Sequence, residues 1–161
     1  MVSIKWCLKQ KQGIKLIEPN INMSDSYLIM AEESIKELQQ IKTKIWTATT
    51  SYYIFYYSLY ALMIRIGIKC EIHSCSLEFM KEVLKEFYDK KDVEMINEAF
   101  SARSDLQYYT DKPVDEKVIN EIKIYCKDFY TKTKDILIKL TEEQINDIRK
   151  KIRELKNDKP E

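Results

Sequence analysis

Tyr52-Tyr53-Ile54-Phe55-Tyr56-Tyr57-Ser58-Leu59-Tyr60-Ala61-Leu62-Met63-Ile64-Arg65-Ile66 decides the fold. Across this run only Ser58 and Arg65 are neither apolar nor aromatic. The run is shorter than the ~20 residues a membrane-spanning helix needs. It therefore reads as a helix inside a protein, and a helix apolar on every side has to be covered on every side. In a small domain that means sibling helices on one face and a second chain on the other. The segment is expected to be the central helix of the fold and a dimer wall, closed by Gly67 as its C′ residue.

Outward from this helix the pattern stays helical. Towards the N-terminus, Ser24 looks like an N-cap. Tyr27, Met30, Ala31, Ser34, Ile35 and Leu38 follow it at helical spacing, which predicts a first helix over about 24–42. Residues 1–23 read as an irregular arm whose Trp6, Leu8, Ile14, Leu16 and Ile17 lie on a neighbour's surface, with a turn at Pro19-Asn20. Towards the C-terminus, residues 68–75 read as a loop carrying His73. Ser76 is expected to cap a third helix and Asp92 a fourth that continues through Arg103 to Tyr109. Asp115 is expected to cap a fifth helix with Val118, Ile122, Tyr125, Phe129, Ile136 and Leu140 on one stripe. Thr141-Glu142-Glu143-Gln144 matches a capping box and opens a sixth, highly charged helix to about Leu155. The fold class is thus all-α: an up-and-down antiparallel bundle of four to six helices over 24–140, preceded by the irregular arm 1–23 and followed by the charged helix and tail 141–161.

Composition narrows the function classes. The 161 residues suffice for one domain with a real core. Charged residues make up 33% and hydrophobic ones 45%, the balance of a globular, soluble chain. Lys+Arg 27 against Asp+Glu 26 gives no global attraction to nucleic acid, so any such binding has to come from a local patch. Two glycines and three prolines suit helices with short connections and disfavour a hairpin-rich sheet. The N-terminal stretch with Lys5, Trp6 and Lys9 has no apolar run of the kind a secretory signal carries. Cys70 and Cys75 flank Glu71-Ile72-His73-Ser74, and a Cys-x4-Cys pair with one histidine is a poor zinc spacing. With Cys7 and Cys126 they are expected as free, buried or partly buried thiols in a reducing cytoplasm, with no metal and no cofactor.

The polar candidate is Arg103-Ser104-Asp105-Leu106-Gln107-Tyr108, near the end of a helix that Thr110, Asp111 and Pro113 stop. Arginine presents a charged fork that suits phosphate. Five residues along a regular helix rotate by ~140°, so Arg103 and Tyr108 do not share a face, whereas Gln107 at i+4 does. The plain structural alternative pairs Arg103 with Asp105, Glu98 or another acid. His73 is the one histidine of the chain. It either approaches Arg103 in the fold or bonds a helix end or a carbonyl from its loop. The tyrosines of the central helix read as core or interface.

Taken in order, several elements resemble a known family. Trp6-Cys7-Leu8-Lys9 and Glu18-Pro19-Asn20 precede a Tyr27-Leu28-x-x-Ala31-Glu32 helix. The Tyr52–Leu62 aromatic helix runs into Gly67-Ile68-Lys69 and His73. The Arg103–Tyr108 element, Pro113 and a helix containing Phe129 follow. The set resembles the HEPN family (higher eukaryotes and prokaryotes nucleotide-binding), in its small prokaryotic branch, over roughly residues 1–140. The resemblance implies a cytoplasmic homodimeric helical bundle that pairs with a minimal nucleotidyltransferase in a toxin–antitoxin or defence system. Many members of that family are metal-independent ribonucleases using Arg-x4-6-His. Here positions 108 to 110 are Tyr, Tyr and Thr, and Leu106-Gln107 stand where the related element has Ala-Asp. Histidine suits proton transfer because its pKa lies near neutrality; tyrosine near ~10 is a poor base. The leading expectation is therefore nucleotide or RNA binding through Arg103, Asp105, Gln107, Tyr108 and His73. A ribonuclease using Arg103 with His73 or Tyr108 is the first alternative, and a non-catalytic helical partner the second.

Overall fold

The computed structural model describes residues 2–158. Along the chain it forms α1 (Ile4–Lys9), β1 (Lys15–Leu16), α2 (Ile21–Leu38), α3 (Lys44–Ile66), β2 (Ile68–Lys69), α4 (His73–Val83), α5 (Lys90–Tyr108), α6 (Glu116–Lys139) and α7 (Glu142–Asn157). The protein is all-α apart from the short antiparallel β1–β2 pair, in which Lys15 faces Lys69 and Leu16 faces Ile68.

The apolar run forms the middle and end of α3, and the long helices alternate in direction around it. The Ser24 hydroxyl of α2 donates to the Ala61 carbonyl of α3 at 2.7 Å, and Tyr27 packs on Tyr57 and Tyr60. Along α5, Phe100 lies by Tyr52 and Gln107 donates to Thr49, so α5 runs antiparallel to α3. Between α5 and α6, Tyr125 donates to Asp92 and Tyr88 shares a hydrogen bond with Thr133, again in antiparallel order. The core gathers Tyr52, Phe55, Leu59 and Leu62 of α3 with Phe79 of α4, Ile96 of α5 and Phe129 of α6, all fully buried.

The all-round apolarity of α3 is met largely within one chain. Sixteen of its 23 residues are buried by α2, α5, α6 and the segments that follow α3. Burying this helix therefore does not require a second chain. Besides Lys44 and Ile45 at its start and Arg65 at its end, what stays open is a narrow stripe: Trp46 is 56% exposed, and Thr50, Tyr53 and Tyr57 are half-buried. At 100° per residue these four positions fall within an arc of about 60°. Further along the same line Ile64 is buried, and its carbonyl accepts the Asn20 N–H.

Several boundaries differ from the sequence expectation, each for a local reason. The arm is irregular only in part: Ser3 caps the short α1 by accepting the Trp6 N–H, and β1 pairs with β2, while residues 10–14 and 17–20 form neither helix nor strand. The first long helix begins at Ile21 under the cap Asn20, because the hydroxyl of Ser24 goes to Ala61 instead. The residues before Tyr52 are helical from Lys44. His73 lies in the first turn of α4, not in a loop, and the Ser76 hydroxyl turns back to the Ile72 carbonyl. Asp89 is the cap of α5, and Asp92 is the third helical residue of its capping box, returning a bond to the Asp89 N–H. Asp115 and Thr141 cap α6 and α7 as expected, and Gly67 closes α3 in the left-handed region at φ 86°. The tail beyond Asp158 lies outside the described residues.

The four cysteines are not all free. Cys7 of α1 and Cys75 of α4 form a disulfide, with Cα atoms 5.6 Å apart and a sequence separation of 68. Cys70 and Cys126 are free and buried. Spacing directed attention to Cys70 and Cys75, but the ribbon brings α1 over α4 and selects Cys7 as the partner.

Candidate functional site

Arg103, on the face of α5 that meets α3, lies over two tyrosine rings. Its guanidinium carbon is 5.2 Å from the centroid of Tyr52 and 5.2 Å from that of Tyr53. Among the described residues no carboxylate lies within ion-pairing distance of it, and its buried Nε–H has no hydrogen-bond partner. Asp105 pairs with Lys112 at 3.5 Å, not with Arg103. The expected pairing of Arg103 with an acid is thus absent here. In its place is a cation held by the negative faces of aromatic rings.

His73 reaches the same rings from α4. Its Nδ1 and the Tyr52 hydroxyl are 2.8 Å apart. The imidazole stacks on Tyr56 with centroids 4.1 Å apart and meets Tyr53 edge-on at 6.4 Å. The histidine and the arginine are therefore brought together on one tyrosine cluster, with Tyr52 touching both. Burial lowers the pKa of His73, and the positive charge of Arg103 lowers it further, so the ring is neutral near pH 7. Burial pushes the Tyr52 phenol far above its ordinary range, and it keeps its proton. The Tyr52–His73 bond has two proton arrangements. If Nδ1–H donates, Nε2 is free to accept a proton. If the tyrosine O–H donates, Nε2 carries a proton it can give to a ligand oxygen.

The remaining sequence candidates divide. Gln107 shares the face of Arg103, as its i+4 spacing requires, and donates to Thr49 at 3.1 Å. Tyr108 is 69% exposed on a different face. Tyr109, also exposed, holds the Lys112 ammonium over its ring at 4.3 Å. Asp105, Tyr108 and Tyr109 thus lie apart from the Arg103–His73 cluster. The residues that sequence reasoning missed are Tyr52, Tyr53 and Tyr56. Their signal was available: a tyrosine in a core helix carries a hydroxyl that needs a partner, and a lone histidine is a natural one.

Beside this cluster runs a cleft of about 550 Å³ between α4 and α5, lined by Ser74, Leu77, Asn97 and Phe100 among others. Ser74 follows His73, and Phe100 lies against Tyr52. No helix among the described residues is long and apolar enough to cross a membrane. No protein-family model matches the chain, and no curated protein or solved structure matches it closely enough to compare.

Proposed function

We propose that the Arg103–His73–tyrosine cluster binds a phosphate-bearing ligand, RNA or a nucleotide, in an HEPN-like protein. One observation carries this reading: Arg103 is an arginine without an acid, with a buried N–H left unpaired, held beside a neutral histidine. The remaining N–H groups of this half-buried guanidinium suit phosphate oxygens, and the aromatic rings supply a surface for a base. The resemblance adds the expectation of a homodimer working with a minimal nucleotidyltransferase in a toxin–antitoxin or defence system. Binding of a short labelled RNA, followed by anisotropy at two salt concentrations, tests the ligand. Arg103→Ala should weaken binding by tenfold or more and flatten its salt dependence. Unchanged binding by Arg103→Ala would remove the reading. Light scattering at micromolar protein and co-purification with a nucleotidyltransferase test the partners.

A second reading is metal-independent RNA cleavage, favoured by the neutral His73 and its Tyr52 bond beside Arg103. His73 Nε2 would take the 2′-hydroxyl proton as that oxygen bonds to phosphorus, the P–O5′ bond would break with the 5′-oxygen taking a proton from water, and Arg103 would stabilise the negative charge on the non-bridging phosphate oxygens, leaving a 2′,3′-cyclic phosphate and a 5′-hydroxyl. Incubation of RNA in EDTA decides it. Cleavage should vanish in both His73→Gln and Arg103→Ala, and equal product from either variant excludes this chemistry.

A further inference from the structure

We infer that the Cys7–Cys75 disulfide is a redox control on the site: closed, it holds His73 on the tyrosine cluster, and opened by a dithiol reductant it lets the histidine go. The inference concerns how His73 is held and does not depend on what the cluster binds. Cys75 lies two residues after His73, in the same first turn of α4. Two residues on a helix stand ~200° apart, so the histidine and the disulfide grip opposite sides of one turn. Little else fixes that turn. Ile72, at the cap position, makes no side-chain cap bond, and a helix start without one is the part that frays. On the other side of the bond, α1 has only 6 residues, too few to stay helical alone. The loop that the disulfide closes contains α3, and with it Tyr52 and Tyr56, the rings on which His73 rests. The cross-link therefore fastens that loop at the histidine's own turn.

The chain holds no ready thiolate to open the bond itself. Burial raises the Cys70 thiol, whose Sγ donates to the Ile72 carbonyl at 3.3 Å, and pushes the Cys126 thiol up to about 12. The electrons come instead from an external dithiol. One of its thiolates attacks a sulfur of the disulfide, forming a mixed disulfide and expelling the other cysteine as a thiolate, which takes a proton from water. The second thiolate of the reductant then displaces the remaining cysteine, which is protonated in turn, and the reductant leaves as its own disulfide. An oxidised dithiol runs the exchange in reverse. Cys7 and Cys75 are fully buried, so the exchange waits on local opening of α1.

Because His73 is the one histidine, its imidazole C–H resonances in the NMR spectrum report its titration alone. The groups that face it are Tyr52, Tyr53 and Tyr56 of α3, with the charge of Arg103 on α5. In the oxidised protein the titration midpoint should lie below 6.5, and in dithiothreitol it should rise to 6.5 as the ring meets water. Cys7→Ser/Cys75→Ser should titrate like the reduced protein, with or without reductant. A thiol count on the oxidised chain in denaturant should find two, Cys70 and Cys126. Finding all four cysteines as thiols overturns the inference, as does one midpoint shared by oxidised, reduced and double-variant protein. It is overturned too if circular dichroism shows that reduction unfolds every helix, since the bond would then brace the whole fold and not this turn. Retained helicity with a raised midpoint is the result that supports it.

Discussion

Tyr52 links the two groups that matter most at the residue scale. Its ring supports Arg103 and its hydroxyl holds His73, so a single side chain from the core sets the position of a cation and an imidazole that come from different helices. Because His73 is kept neutral by burial and by Arg103, its folded pKa lies below its ordinary value of 6.5. Between the folded pKa and 6.5 the unfolded chain binds more protons, so stability rises with pH there. The histidine's contribution is complete above pH 6.5 and is lost as pH falls through that window. Denaturant melts of wild type and His73→Gln between pH 7.5 and 5 should diverge, with the wild type losing more on acidification. Parallel pH curves would mean that the imidazole is not desolvated. Tyr52→Phe should cost about 1 kcal/mol by removing the bond to His73, measured in the same melts at pH 7.5.

The elements owe their ends to short polar exchanges, and these differ in how far they reach. Asp92 is 1% exposed and collects the Asp89 N–H, the Tyr125 hydroxyl and the Lys132 ammonium. It ties the start of α5 to α6, whereas Asp89 mainly closes its own helix. Asp92→Ala should therefore cost about 2–3 kcal/mol, because it leaves several donors unpaired, and Asp89→Ala about 1 kcal/mol, as a lost cap. Urea denaturation orders the two, and equal losses would argue against the cross-helix role. The same locus shows what a sequence can and cannot disclose. Asp92 stands out as a capping residue, but only the fold tells whether it is the cap or the third helical residue that answers it. The Thr141 box and the Asp115 cap were legible because nothing distant competes for their side chains. Ser24 misled because a carbonyl 37 residues away takes its hydroxyl. The disulfide from α1 to α4 was out of reach for the same reason: it joins residues 7 and 75, and no periodicity records that. By closing a long loop it should contribute about 4 kcal/mol in the chain-entropy view. A reductant should lower the melting temperature of wild type and leave Cys7→Ser/Cys75→Ser unmoved.

Across the whole molecule, the central helix was readable from its apolarity, but the identity of its cover was not. Hydrophobicity says that a surface must be buried; it does not say by which chain. The answer came from α2, α5 and α6, and what they leave bare is the aromatic stripe from Trp46 to Tyr57. Arg103 was legible as a lone cation near a helix end. Its companions were not, because Tyr52 and His73 meet it only through tertiary packing.

One junction has a consequence in time. Arg149 of α7 donates through a single Nη1 to the carbonyls of Ile17, Ile66 and Gly67, at 2.7, 3.2 and 3.0 Å. The first of these bonds spans 132 residues. A side chain added at Gly67 would run into that guanidinium and into the Ile17 carbonyl, so the left-handed glycine also keeps the junction open. Contacts between such distant segments repay the cost of closing the chain late in folding. Arg149→Ala should then leave the refolding rate nearly unchanged and speed unfolding, by about tenfold for a loss of 1.4 kcal/mol, in stopped-flow chevron measurements. Slower refolding with unaltered unfolding would place the junction in the nucleus instead. On this account Arg149 is a latch that governs how long the folded molecule lasts, with little say in how quickly it forms.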